Sequence, residues 1–127
     1  MDLLLDTHTF IWFINGEVLS SQIINSIEDR NNKCFISIAS LWEIAIKSSL
    51  NKLSLKSDFD KIADFLDANN IEILAVSFEH LQNLNKLDFH HRDPFDRIII
   101  AQGIAEKLVI ITRDEQFSNY TDQILWN

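Results

Sequence analysis

Five short apolar runs dominate the chain, and most of them lack the alternation of a half-exposed strand. They are Leu3-Leu4-Leu5, Cys34-Phe35-Ile36, Ile71-Glu72-Ile73-Leu74, Leu108-Val109-Ile110-Ile111 and Gln123-Ile124-Leu125-Trp126. A strand with one face in water alternates apolar and polar residues, whereas a continuous apolar run fits a strand covered on both faces, as in a parallel sheet. Helical spacing fills the segments between the runs. Phe10, Phe13 and Ile14 form an i, i+3, i+4 stripe. So do Leu19, Ile23, Ile24 and Ile27, then Leu41, Ile44 and Ala45, then Phe59, Ile62, Ala63 and Leu66. The segment Ile98 to Ile104 opens a further helix. The expected order is β-α-α-β-α-α-β-α-α-β-α-β. Parallel strands need crossover connections, and helical crossovers are right-handed and cover both faces. The expected architecture is therefore α/β, an open parallel sheet with helices on both sides. Asn31-Asn32 and Asn69-Asn70 mark helix ends, and no linker, repeat or low-complexity tract interrupts the 127 residues, so a single domain over 1–127 is expected.

Composition supports that reading. Hydrophobic residues make up 46%, against 2 Gly and 1 Pro, which is enough for a core and too little turn chemistry for an all-β fold. No apolar run approaches the roughly 18 residues of a membrane span. The start MDLLLDTH carries acids where a secretory signal carries Lys or Arg. Cys34 is the only cysteine and has no partner for an internal disulfide, so a reducing, cytoplasmic setting is expected. The net charge of −8 argues against a broad basic surface that wraps nucleic acid. A nuclease remains open, because bound cations neutralise a carboxylate cluster and a short RNA needs only local positive groups. The charge also suggests a basic protein partner.

The positions of the acids matter more than their number. Asp6 directly follows the first strand, and Asp114 follows the fourth by two residues. Glu43 is expected in the first turn of the helix after the second strand, and Asp96 in the first turn of the helix leading into the fourth. Open α/β sheets bind ligands beyond the carboxyl ends of their strands, where Asp6, Glu43 and Asp114 should sit. Asp96, Ile99, Ile100 and Gly103 share one helical stripe that is apolar after its first member. That stripe should face the sheet and turn Asp96 inward, whereas Arg97 lies off it.

Each acid also has a purely structural reading. Ser40-Leu41-Trp42-Glu43 has the form of a capping box, as does Thr112-Arg113-Asp114-Glu115 with Glu115 as its acid. Asp93-Pro94-Phe95-Asp96 supplies an N-cap, a Pro at the first helical position and an acid at the third. Asp6 can cap the first helix. Capping alone gives the four acids no reason to converge.

Four converging carboxylates without His or Cys form a hard oxygen site suited to Mg²⁺ or Mn²⁺ rather than zinc. The chemistry such a site supports is hydrolysis of a phosphodiester. Other chemistries fit less well. Cys34 lies inside an expected strand and reads as core, and Gly16 and Gly103 alone cannot build a phosphate-cradling glycine loop. His90 and His91 read as surface or phosphate-contacting residues, and His8 as a helix-start residue able to line the pocket. Lys47, Arg92, Arg97 and Arg113 are the positive groups near the expected edge; Lys47 stands at i+4 from Glu43 as a simple helix ion pair, and Arg113 and Arg92 are candidate substrate contacts.

The segments LLLDTHTFIWFI, SIASLWEIAIKSSLNKL, HHRDPFDRIIIAQ and VIITRDEQF, with the closing ILW, resemble the PIN-domain toxins, the VapC-like ribonucleases of type II toxin–antitoxin pairs. The likeness covers essentially the whole chain. It implies a three-layer fold with a five-stranded parallel sheet in the order 3-2-1-4-5 and a Mg²⁺ or Mn²⁺ site. It implies Asp6, Glu43, Asp96 and Asp114 as the catalytic and metal-binding acids, and it leaves the role of Asp93 open. It further implies an RNA substrate, a homodimer and a cognate antitoxin that covers the site, with any DNA bound through that antitoxin.

Two other readings compete. A receiver or aspartyl-phosphatase domain shares the layout but needs residues this chain lacks, since Leu74 is followed by Ala75-Val76-Ser77 and His8 stands two residues after Asp6. A non-catalytic binding module that keeps the acids as caps is the other.

Overall fold

In the computed structural model, which describes residues 1–126, the five apolar runs become β1 (Asp2–Leu5), β2 (Lys33–Ser37), β3 (Ile71–Leu74), β4 (Val109–Ile111) and β5 (Ile124–Leu125). All pair in parallel in the order β3-β2-β1-β4-β5. Between them run α1 (Thr7–Ile14), α2 (Ser21–Glu28), α3 (Ile38–Ser49), α4 (Ile62–Ala68), α5 (Phe78–Lys86) and α6 (Pro94–Glu106). The expected helix between the last two strands is a 3-10 helix, Glu115–Asn119. Another 3-10 turn, Phe59–Lys61, precedes α4, so Phe59 is left half-exposed rather than on its stripe. No helix among the described residues is long and apolar enough to cross a membrane.

The two-residue period of β1 explains why its sequence does not alternate. Leu3 and Leu5 enter a core with Phe10, Ile23, Ile36, Ile44 and Leu66, drawn from α1 to α4 and β2. Leu4 points the other way, against Ile99 and Ile100 of α6 and Phe117. Each leucine is fully buried because each sheet face has its own helical layer. Cys34 lies in the first of these cores, and burial pushes its thiol up to about 11, as befits packing rather than nucleophilic chemistry.

The α6 stripe packs as expected. Gly103 faces β4 so closely that a Cβ there would meet Ile110 Cδ1 at 2.6 Å and Cγ1 at 2.9 Å. Gly103→Ala should therefore destabilise by roughly 1–2 kcal/mol despite its better helix propensity. Ile110→Val removes the nearest atom and should recover part of that loss in the double variant. Urea melts of the four proteins measure this; additive losses would contradict a steric origin.

The strand order reverses direction between β1 and β4. In open parallel sheets this is where a crevice opens at the carboxyl edge. Asp6 leaves β1 and Thr112-Arg113-Asp114 leave β4 at that crevice.

Candidate metal centre

Asp6 ends β1 and caps α1. Its Oδ1 accepts the Thr9 amide at 2.8 Å, its Oδ2 accepts the Thr112 hydroxyl at 2.6 Å, and the residue is 3% exposed. Burial raises its pKa above the ordinary carboxylate value, outweighing those hydrogen bonds, which favour the charged form. Thr112 is shared: its oxygen also accepts the Asp114 amide at 3.0 Å. Asp114 caps the following 3-10 helix with Oδ1 on the Gln116 amide. The cap is thus Asp114 itself rather than the box ending in Glu115.

Asp93 caps α6, accepting from the Phe95 and Asp96 amides, with Pro94 at the first helical position. Asp96 stands one turn in, facing the crevice. Its carboxyl is pushed up to about 7, chiefly by burial and next by the Asp93 charge, with Asp6 and Glu43 adding to the repulsion and His91 opposing it. Three acids therefore act on Asp96, one from the cap of its own helix and two, Asp6 and Glu43, from other elements.

His91 was not expected in this cluster. Its Nε2 lies 2.8 Å from Asp114 Oδ2 and 3.2 Å from Asp96 Oδ2. Its Nδ1 accepts the Asp93 amide at 3.2 Å, so the proton sits on Nε2, which donates to the acids. Among the described residues, His91, Asp96 and Asp114 form a group of possible metal ligands within 4.8 Å of one another. The expectation of a site without histidine is corrected here. The signal was local: His91 stands two residues before the cap of the helix that carries Asp96.

Glu43 also departs from expectation. The helix starts at Ile38 with Ser37 as its cap, so Glu43 lies in the second turn and Ser40 caps nothing. The Ser40 hydroxyl instead accepts the Thr7 hydroxyl at 2.8 Å, both buried. Glu43 is 4% exposed and meets Lys47 Nζ at 2.6 Å, the helix ion pair read from the spacing. That contact raises the Lys47 pKa. Glu43 and Asp6 stand outside the His91–Asp96–Asp114 triangle, and act on Asp96 through charge.

The basic residues separate into different roles. Arg113 shares a cavity of about 360 Å³ with Asp6, His8, Trp12 and Asp114. Arg92 lines a different cavity, with Leu81, Phe89 and Pro94. Arg97, placed near the edge from sequence, is instead 7% exposed and structural. It donates to the carbonyls of Leu87, Asp88 and His91 and to the Tyr120 hydroxyl, fixing the segment that presents His91.

The chain matches the family model for the PIN domain over residues 3–123. It belongs to the PIN domain family. No curated protein matches this PIN domain. Among solved structures, it resembles a chain in the VapBC2 complex of Rickettsia felis bound to a promoter DNA fragment, at 21% identity and TM-score 0.74, covering 98% of this chain and 96% of that one. It also resembles a chain of a toxin–antitoxin complex from Klebsiella pneumoniae, at 16% identity and TM-score 0.66, with the same coverage. These likenesses establish the fold.

PIN nucleases generally use a divalent metal, and the donor set in this PIN domain fits a hard cation. Two carboxyls, the buried Asp6 and the half-buried Asp96, carry raised pKa values, and among the described residues neither is hydrogen-bonded by Lys or Arg. His91 offers Asp96 and Asp114 a proton rather than a lone pair, which leaves carboxylate oxygen as the available donor. The raised Asp96 pKa has a consequence for stability. The folded state holds this proton more tightly than the unfolded chain, so the metal-free protein loses stability as pH rises from about 4 through 7. After allowance for solvent screening the loss is about 2 kcal/mol, or roughly 7 °C in Tm. Melts in EDTA at about pH 5 and pH 8, compared with Asp96→Asn, measure it; equal slopes for the two proteins would contradict the assignment.

Proposed function

We infer that this PIN domain is a Mg²⁺- or Mn²⁺-dependent endoribonuclease and the toxin of a type II toxin–antitoxin pair, with Asp6, Glu43, Asp96 and Asp114 as its catalytic acids. The observation that carries this reading is the gathering of desolvated carboxyls at the crevice between β1 and β4 without a Lys or Arg bonded to Asp6 or Asp96. Such excess charge calls for a cation, and the ion would supply a polarised water and charge stabilisation for in-line phosphodiester hydrolysis. The protein's own groups set the geometry. Thr9 and Thr112 orient the two oxygens of Asp6. Thr112 ties Asp114 to the same point. His91 Nε2–H restrains Asp96 and Asp114 together, while Lys47 restrains Glu43. Arg113, at the rim beside Asp114, is placed to meet a substrate phosphate.

The partner assignment rests on the resemblance together with the two structural neighbours, both parts of toxin–antitoxin complexes. A cognate antitoxin would cover the site and carry any DNA contact. An exposed apolar face supports the homodimer: Ile38, Trp42 and Leu81 are 42%, 62% and 45% exposed around a cavity shared with Phe95.

The alternative of a non-catalytic module keeps some support, since Asp6, Asp93 and Asp114 do cap helices. One experiment separates the readings. Purified protein is incubated with defined RNAs, with and without Mg²⁺, and its melting is followed in Mn²⁺. A nuclease cleaves only with the cation and gains several degrees in Tm at millimolar Mn²⁺. No cleavage and no metal-dependent shift would leave the capping module as the better account.

A further inference from the structure

A second cavity, of about 610 Å³, opens beside the acids and shares Glu43 with them. Its lining includes Lys47, Lys52 and Lys56, three of the 11 Lys and Arg residues in a chain of net charge −8. The acids along it are Glu17 and Glu43, and Lys47 is occupied by Glu43 at 2.6 Å. Among the described residues neither Lys52 nor Lys56 is paired with a carboxylate, and both are exposed. A locally positive wall has thus been placed next to the most negative crevice of an acidic protein.

The wall is built rather than loose. After α3 the chain turns back, with Asn51 at φ 55° and the Lys52 amide on the Lys47 carbonyl at 2.8 Å. Asn15 at the end of α1 then clamps the returning segment. Its Nδ2 donates to the Ser54 carbonyl and its Oδ1 accepts the Lys56 amide, both at 3.0 Å. The Lys52 backbone is therefore tied to α3 and the Lys56 backbone to the end of α1.

Trp12 lines this cavity and also the smaller one that holds Asp6, Arg113 and Asp114, as does His8. The His8 ring lies 6.0 Å from the Trp12 ring, and the Arg113 guanidinium is 6.0 Å from the Trp12 centroid. An aromatic face beside a basic groove is the pattern that accommodates single-stranded nucleic acid, bases stacking while the backbone meets cations.

We propose that this cavity is the track of a single-stranded RNA leading from the acidic centre, with Lys52 and Lys56 holding backbone phosphates and Trp12 stacking a base. The assignment deepens the ribonuclease reading and rests on it. It also explains how an acidic chain holds a polyanion: three of its positive side chains share one groove beside the acids.

The test is binding of a short labelled oligouridylate in EDTA, where cleavage plays no part, followed by anisotropy across a salt series. Lys52→Gln/Lys56→Gln should weaken Kd roughly tenfold at low salt and make the log–log salt slope shallower by about 1.4, two phosphates at ~0.7 each. Lys61→Gln/Lys86→Gln removes equal charge elsewhere and should leave Kd within about twofold. RNA should quench tryptophan emission in the wild type, and Trp12→Phe should abolish that quench. Unchanged binding by the Lys52/Lys56 variant, or an equal loss in the control pair, overturns the track. Displacement of the RNA by polyglutamate at equal charge overturns it in favour of an acidic protein segment. A wild type that binds RNA through these lysines but never cleaves it sinks the ribonuclease reading and leaves the track standing. Cleavage lost on altering the acids, with binding indifferent to the lysines, does the reverse.

Discussion

Asp6→Asn should lower the proposed RNA cleavage by about a thousandfold or more, while the metal-free fold should stay at least as stable as the wild type. The two effects have one cause. Asp6 is a carboxyl held out of water, and burial raises its pKa despite the hydrogen bonds from Thr9 and Thr112, so a bound cation would add the compensation they leave short. Asn keeps an oxygen for the Thr9 amide, so the α1 cap survives, and it removes the desolvated charge. Single-turnover cleavage in Mg²⁺ measures the first effect and melting in EDTA the second. The Mn²⁺-induced rise in Tm should shrink with the activity. Cleavage within about tenfold of wild type would remove Asp6 from the proposed machinery. A collapse of the fold would mean that its role is structural.

Arg97→Ala should cost about 3 kcal/mol and lower Tm by roughly 10 °C, the largest stability loss expected from any charged residue here. The guanidinium is 7% exposed and satisfies carbonyls of Leu87, Asp88 and His91 together with Tyr120, beneath the Phe89 ring at 4.0 Å. Without it, these acceptors lose their donor and the segment 87–91 loses its tether. Tyr120 holds the same segment through the His90 and His91 amides, each at 2.7 Å, so loosening spreads to the site. Arg97→Lys should recover less than half of the loss, because one ammonium cannot span the directions a planar fork reaches. Thermal and urea melts decide the matter. An Ala variant within about 1 kcal/mol of wild type would contradict the bonded geometry.

Arg97 also shows where sequence reasoning stops. Its place off the apolar stripe of α6 was legible, and suggested a positive group near the ligand-binding edge. The partners that bury it come from 87–91 and Tyr120, segments brought there by the sheet. Asp93 is the contrasting case. Its cap, the Pro after it and the helix they start are contacts within three residues, and all three were readable. The start of α3 lies between these cases. Ser37 and Ser40 are both competent caps, and Ser37 has that place because β2 runs on to it in register with Leu74, while Ser40 meets Thr7. Glu43 accordingly moved one turn deeper than its spacing implied.

The opening feature, five apolar runs of which most lack alternation, determined most of the architecture by itself. Burial on both faces is written into the residues of the central runs, so the layers and parallel pairing followed from local pattern, while the edge strand leaves Glu72 and Ile73 exposed. The strand order came with the family resemblance, not with periodicity. Tertiary structure alone decided which groups meet at the β1–β4 crevice. Asp6, Asp96, Asp114 and His91 approach through segments separated by as many as 108 positions, from 6 to 114, and Thr112 joins two of them across the switch point. Helix and strand periods arise from neighbouring residues, whereas a site arises from the closure of distant ones. That closure is set by packing of the whole sheet, which no short stretch of sequence contains.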